Sequence, residues 1–299
     1  MRNRAGLGIL SALGAATLYG IIPNFARNAF NNGVPPVDSV FFRTSLIAVA
    51  MAVIAVLRNE SLAVPRGAWP AYLVQAGATF MVSIGYLASV QFIPVGQAVT
   101  IFFTFPVIIM LAAPLVERRP PSLIQIGIAI LAFAGLALAL WSGAQNLDWR
   151  GIVLAALASV FCTVQFFSGR SLAAHLPPAA FVSLVHLAVW PGALLAALFV
   201  GGGTIAIFPG GSASLTGLAY MAGIGAIYVI AYFIHMLSLR FAPASTVAPF
   251  YNIEPMVATV LALVLLGENL TPLHIVGGVM MLAALIAASV VDLRQKEAP

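Results

Sequence analysis

Glu254 stands inside an apolar run that also carries Pro249, Tyr251, Asn252 and Pro255. The run Ala244–Leu266 is long enough to cross a bilayer. A carboxylate at that depth costs at least about 2.5–3.5 kcal/mol on insertion scales, so it persists only facing protein or water, paired, or protonated. Two readings compete: a site for a substrate amine or a proton, and a packing group bonded to a neighbouring helix.

Other polar groups recur at helical spacing within apolar runs. Tyr228, Tyr232 and His235 fall on one helix face, with Ser238 a turn further on. An earlier segment repeats the stripe with Thr79, Ser83 and Tyr86. Two such faces predict the walls of one cavity; the competing reading is interhelical hydrogen bonding in a dry bundle. Thr100, Phe102, Phe103 and Thr104 precede Pro106, and Asn24 and Gln165 add amides from two further segments. Pro106 and Pro255 each free a carbonyl one turn earlier, which is tolerated where backbone lines a cavity, so both are candidate hinges. Arg43 lies about two turns inside its span. Its stem could snorkel to water, or its guanidinium could grip a carboxylate at an outer vestibule, with His186 and Trp190 beside it.

The same residues argue against other chemistries. His175, His186, His235 and His274 lie on separate segments without metal-ligand spacing, so no metal and no cofactor is expected. Gly223-Ile-Gly225 imitates a nucleotide fingerprint but sits in an apolar span and lacks its third glycine. Cys162 is single and cannot form an internal disulfide. An intramembrane enzyme using Glu254 and His235 as an acid–base pair is the reading from a different class, and no nucleophile or paired-aspartate motif supports it.

These residues must be positioned by membrane helices. Hydrophobic residues make up 62% of the 299 positions and charged residues 7%, a composition that cannot clothe a soluble domain. Spans of about twenty residues divide the chain into about ten. They are drawn at Leu7–Phe30, Val37–Leu57, Ala68–Phe92, Val95–Val116, Ser122–Trp141, Gly151–Leu172, Ala179–Val200, Leu215–Phe241, Ala244–Leu266 and Leu273–Val291. The net charge of +5 comes from dispersed bases that read as topology signals and not as a nucleic-acid surface. A cytoplasmic N-terminus puts Arg2, Arg4, Arg58, Arg66, Arg118, Arg119, Arg170, Arg240, Arg294 and Lys296 on one side and leaves Arg27, Arg43 and Arg150 elsewhere. Both termini are therefore expected in the cytoplasm.

The two halves, residues 1–145 and 146–299, resemble each other. Gly8, Arg27, Pro35 and Arg43 align with Gly151, Arg170, Pro178 and His186, while Phe92, Pro94 and Pro106 align with Phe241, Pro243 and Pro255. Glu117 and Gly127 fall on Glu268 and Gly278; the two glutamates sit at helix–helix turns and read as structural, with Arg118 a nearby partner. Five spans per half is an odd number, so the repeats enter the membrane from opposite faces, and a site is expected between them near the midplane. The fold class is an all-α integral membrane protein with ten transmembrane helices as two inverted five-helix repeats.

Phe241-Ala-Pro243-Ala-Ser-Thr, then Glu254-Pro255, then Gly267-Glu268-Asn-Leu-Thr271-Pro272 resemble the drug/metabolite transporter superfamily, specifically its ten-helix EamA-domain exporters. The chain looks most like the YddG-type amino-acid exporters of bacterial inner membranes. It departs from the family pattern at Tyr19-Gly20, where a Trp-Gly pair is common, and at Glu117-Arg118-Arg119 in place of Gly-Glu. The resemblance implies export of amino acids, aromatic, apolar or small, by alternating access through a central cavity; drugs or other small metabolites are the alternative cargo. The implied partners are the small-molecule substrate and the lipid bilayer, with protons as a candidate coupling ion and no nucleic acid.

Overall fold

In the computed structural model, residues 2–89, 92–93, 95–118, 122–139, 148–200, 205, 211, 213–266 and 271–297 are described. Every regular element among them is helical, as expected of a chain whose backbone groups must be satisfied without water. The helices are α1 Arg2–Asn31, α2 Pro36–Leu57, α3 Trp69–Ser89, α4 Val95–Phe102, α5 Phe105–Val116 and α6 Leu123–Ala139. They continue with α7 Trp149–Leu172, α8 Pro178–Val200, α9 Leu215–Phe241, α10 Ala244–Val247, α11 Ile253–Leu266 and α12 Pro272–Glu297.

Local sequence sets where they start. Pro36, Pro178 and Pro272 each occupy a first helical position, where a missing N–H leaves no bond unmade. Ser214 accepts from Gly217 N at 3.1 Å, and Ser122 and Gln125 form a reciprocal capping box. Asp148 caps α7 through Arg150 N at 2.9 Å, and its bonds to the Arg150 side chain hold its carboxyl below the usual range. α2 ends at Leu57, and two residues on Asn59, with a φ of 53°, turns the chain away.

Among the described residues six helical stretches are each long and apolar enough to cross a membrane, one of them, Gln97–Val116, running through α4 and α5, and shorter apolar helices such as Leu123–Ala139 accompany them. Large apolar side chains remain exposed around the bundle, among them Leu115 at 86%, Leu215 at 85% and Phe199 at 82%. In water such a surface would aggregate; in a bilayer it faces acyl chains. The protein is a multi-pass membrane protein of ten spans in two inverted five-helix repeats.

Two expected spans are broken. The fourth is α4 and α5, interrupted at Phe103 and Thr104 directly before Pro106. The ninth is α10, a 3-10 segment Ala248–Asn252, and α11, with Pro255 in the first turn after the break. Each proline lacks the N–H that would continue the preceding turn, so helix geometry gives way on its N-terminal side.

The pairing of helices is unchanged when the halves are exchanged. α1 packs on α9 and α3 on α7, α2 on α8, and α6 on α12. The symmetry reaches individual residues. A Cβ on Gly8 would meet the Ala242 Cβ at 2.6 Å, and a Cβ on its repeat mate Gly151 would meet Ile93 Cγ2 at 2.7 Å. The first contact lies on the face carrying both termini, the second on the far face.

Candidate functional site

The centre of the bundle is a column of rings. His186 and Tyr232 have centroids 4.4 Å apart, Tyr228 and Tyr232 5.7 Å, Tyr232 and His235 5.9 Å, and His235 and Tyr251 5.1 Å. Phe166 lies against both His235 and Tyr251 and continues to Phe105. Phe102, Phe103 and Tyr86 extend the column, so Phe103 is core and not a lipid-facing ring. Tyr19 bridges its two arms, with its centroid 6.2 Å from both Tyr228 and His235.

The expected polar stripes meet. Thr79 Oγ1 lies 3.5 Å from Tyr232 Oη, and Gln165 Nε2 donates to Thr79 at 2.8 Å. Gln75 completes this buried network: it donates to Tyr232 at 3.3 Å and accepts from Ser168 at 2.6 Å. His235 Nδ1 is hydrogen-bonded to Tyr251 Oη, with Ser238 Oγ 3.4 Å from the same hydroxyl. The Glu254–His235 acid–base pair therefore does not form among the described residues; the imidazole's side-chain partner is the phenol of Tyr251.

Glu254 is half-buried in the first turn of α11. Its carboxylate has no hydrogen bond or ion pair among the described residues. The ionisable groups within its electrostatic reach are Tyr19, Tyr86, Tyr251 and Cys162, none of them a cation at neutral pH. Ser83, half-buried on α3, likewise makes no hydrogen bond among the described residues.

Arg43 is half-buried on α2 and meets the column. Its guanidinium carbon lies 4.6 Å from the centre of the Tyr228 ring, turned into the column. Tyr228 Oη is 3.2 Å from His186 Nε2, while His186 Nδ1 is 2.8 Å from the Val182 carbonyl. A carbonyl only accepts, so Nδ1 carries the proton and Nε2 of the neutral ring accepts from Tyr228.

The remaining expected residues lie outside the column. Trp190 donates to Ser45 at 2.9 Å and packs on Phe41. Asn24 donates to the Ala258 carbonyl at 3.0 Å, tying α1 to α11, and Asn252 closes its own turn on Pro249. Thr100 is half-buried on α4, and Thr104 bonds Ser159 of α7 at 2.7 Å, beside the break. Glu117 caps α10, accepting from Ala244 N at 2.7 Å and from Ser245 Oγ, a structural role at a turn as expected, with these two residues and not Arg118 as its partners. Pro94, Arg119, Gly267 and Glu268 lie outside the described residues, as does the His274 side chain. Among the described residues no cluster of His, Cys, Asp and Glu could hold a metal.

Tyr19, Gln75 and Phe166 join the centre without being expected there from sequence, in which Tyr19 marks only a departure from the family pattern. Gln75 carried a signal, an amide one helical turn before Thr79 on the same face. A Tyr and a Phe within apolar helices carry none.

The model of the EamA-like transporter family matches the chain twice, at residues 6–141 and 149–290. The chain belongs to the EamA-like transporter family. That is a family of transporters and not of enzymes. Curated relatives include the threonine/homoserine exporter RhtA of Escherichia coli K12 and that of Salmonella typhimurium SL1344. Each is 29% identical over 208 residues, 68% of this chain. The aligned stretch covers 64% of the length of these relatives. A crystal structure sharing 15% sequence identity superposes with a TM-score of 0.81 over 95% of this chain and 98% of its own, and shares the fold.

Proposed function

We propose that the protein is a secondary transporter of a bacterial inner membrane that exports small amino acids or related metabolites by alternating access, with both termini in the cytoplasm. The observation that carries this reading is the Glu254 carboxylate, held at mid-span beside the ring column without a cationic partner among the described residues. A carboxylate so placed needs a mobile cation, and a substrate ammonium or a proton supplies one. The rings around it suit an apolar or aromatic side chain. Gly8 against Ala242 and Gly151 against Ile93 are pseudosymmetric close contacts formed together, and alternating access would open one while the other stays closed.

The test is counterflow in proteoliposomes with labelled threonine, homoserine, methionine and phenylalanine, with and without a pH gradient. Saturable exchange of at least one amino acid is expected. Flux no greater than in empty vesicles for the whole panel would overturn the proposal.

A further inference from the structure

The guanidinium of Arg43 is held inside the bundle without an anion. Its described contact is the face of Tyr228, and it makes no hydrogen bond or ion pair among the described residues. A ring face attracts the positive charge but accepts no in-plane hydrogen bond from the five N–H donors, so they remain available to a ligand. Tyr228 itself is fixed, because its hydroxyl is bonded by His186, whose other nitrogen is anchored on the Val182 carbonyl. The chain from α8 through α9 to α2 thus holds an Arg fork in place before any ligand arrives.

A planar fork of donors on a half-buried Arg beside the ring column fits a planar carboxylate, bound through two parallel N–H···O bonds. The position of the fork also matters. Tyr19 touches the Tyr228 ring on one side, and its chain neighbour Gly20 packs on the backbone of Glu254 on the other. Among the described residues, a cation without an anion and an anion without a cation thus stand on segments that meet through Tyr19 and Gly20 of α1, and a zwitterion carries the complement of both.

We propose that Arg43, seated by Tyr228 and His186, binds the carboxylate of the transported molecule, so that the site selects α-amino acids over their amides, esters and decarboxylated amines. This rests on the transport reading above and narrows it from small metabolites to molecules carrying a free carboxylate. Arg43 is the binding residue; His186 and Tyr228 position it.

The experiment compares L-threonine, L-methionine and L-phenylalanine with their primary amides, which keep the ammonium and lose the carboxylate charge. Binding to the purified full chain in detergent is read by thermal stabilisation, and competition is read in the proteoliposome counterflow assay. The acids are expected to bind about tenfold or more tightly than the amides, because the charge-assisted pair of N–H···O bonds is lost when the carboxylate is missing. Arg43→Gln should weaken the acids to the level of the amides, and Arg43→Lys, which keeps the charge but not the fork, should fall between. Equal binding of acids and amides by the native chain, or no stabilisation by any of the three acids, overturns the proposal. So does an Arg43→Gln variant that retains the discrimination. If Arg43→Gln does not fold, the native comparison decides. Binding with the expected discrimination but without flux would leave this site standing and remove the exporter reading.

Discussion

Gly20 of α1 lies directly on the backbone of Glu254 in α11: a Cβ on Gly20 would meet the Glu254 carbonyl oxygen at 2.6 Å and the Val257 Cβ at 2.7 Å. Neither obstacle is a flexible side-chain end, so Gly20→Ala must push the helices apart beside the carboxylate. The expected cost is about 1–3 kcal/mol, seen as a lower Tm in detergent, with weaker transport. Gly6→Ala is the control, since a Cβ there meets nothing within 4 Å. Equal Tm values for the two variants would show that α1 is not seated on α11 as described.

Glu254→Gln keeps the shape of the side chain and removes its charge. If the carboxylate takes up a substrate ammonium or a proton, the variant loses most of its transport or the pH dependence of its rate. The measurement is initial efflux from proteoliposomes over roughly pH 5.5–8.5, a range wide enough for proton uptake by a carboxylate or a histidine to show in the rate. A rate profile identical to the native one would return Glu254 to a packing role.

Gln75→Leu should destabilise the α3, α7 and α9 interface. It removes a donor from Tyr232 and an acceptor from Ser168 in a site that excludes water, at about 1–3 kcal/mol. Combined with Ser168→Ala in a double-mutant cycle, the pair should show a coupling of about 0.5–3 kcal/mol. Additive changes in chemical or thermal unfolding would mean that the network contributes no mutual stabilisation.

Glu117→Ala should loosen the start of α10, where the carboxylate accepts from Ala244 N and Ser245 Oγ. A cap of this kind is worth about 1 kcal/mol. Glu60 does the same for α8 by accepting from Ala180 N at 3.0 Å, 120 residues away in sequence. Hydrogen–deuterium exchange should therefore accelerate at residues 244–247 in Glu117→Ala and at residues 178–181 in Glu60→Ala. Exchange that rises in the same region for both variants would refute the separate capping roles.

Much of the architecture is legible in the chain because a bilayer leaves few choices. Leu215–Phe241 is read from sequence with the bounds that the helix has, since apolar length and punctuation both report the membrane. The breaks in the fourth and ninth spans are announced by Pro106 and Pro255, but their extent is not: a proline removes one N–H, and whether the helix bends or divides depends on who bonds the freed groups. At the fourth span that neighbourhood is supplied by Ser159 and Thr163 of α7, more than fifty residues on.

By itself, the sequence determined that this is a membrane bundle of two related halves with an acid at mid-span, because composition, span length and repeat spacing are local properties that lipid selects directly. Only the tertiary structure decided which polar groups are satisfied and which stand ready. Arg43 could equally have reached for water, and it lies on Tyr228 because α8 brings His186 to that tyrosine's hydroxyl. Glu254 could have found a base, and among the described residues none is there. The pairing of a buried charge depends on the helices packed around it, and helix neighbours are a three-dimensional fact.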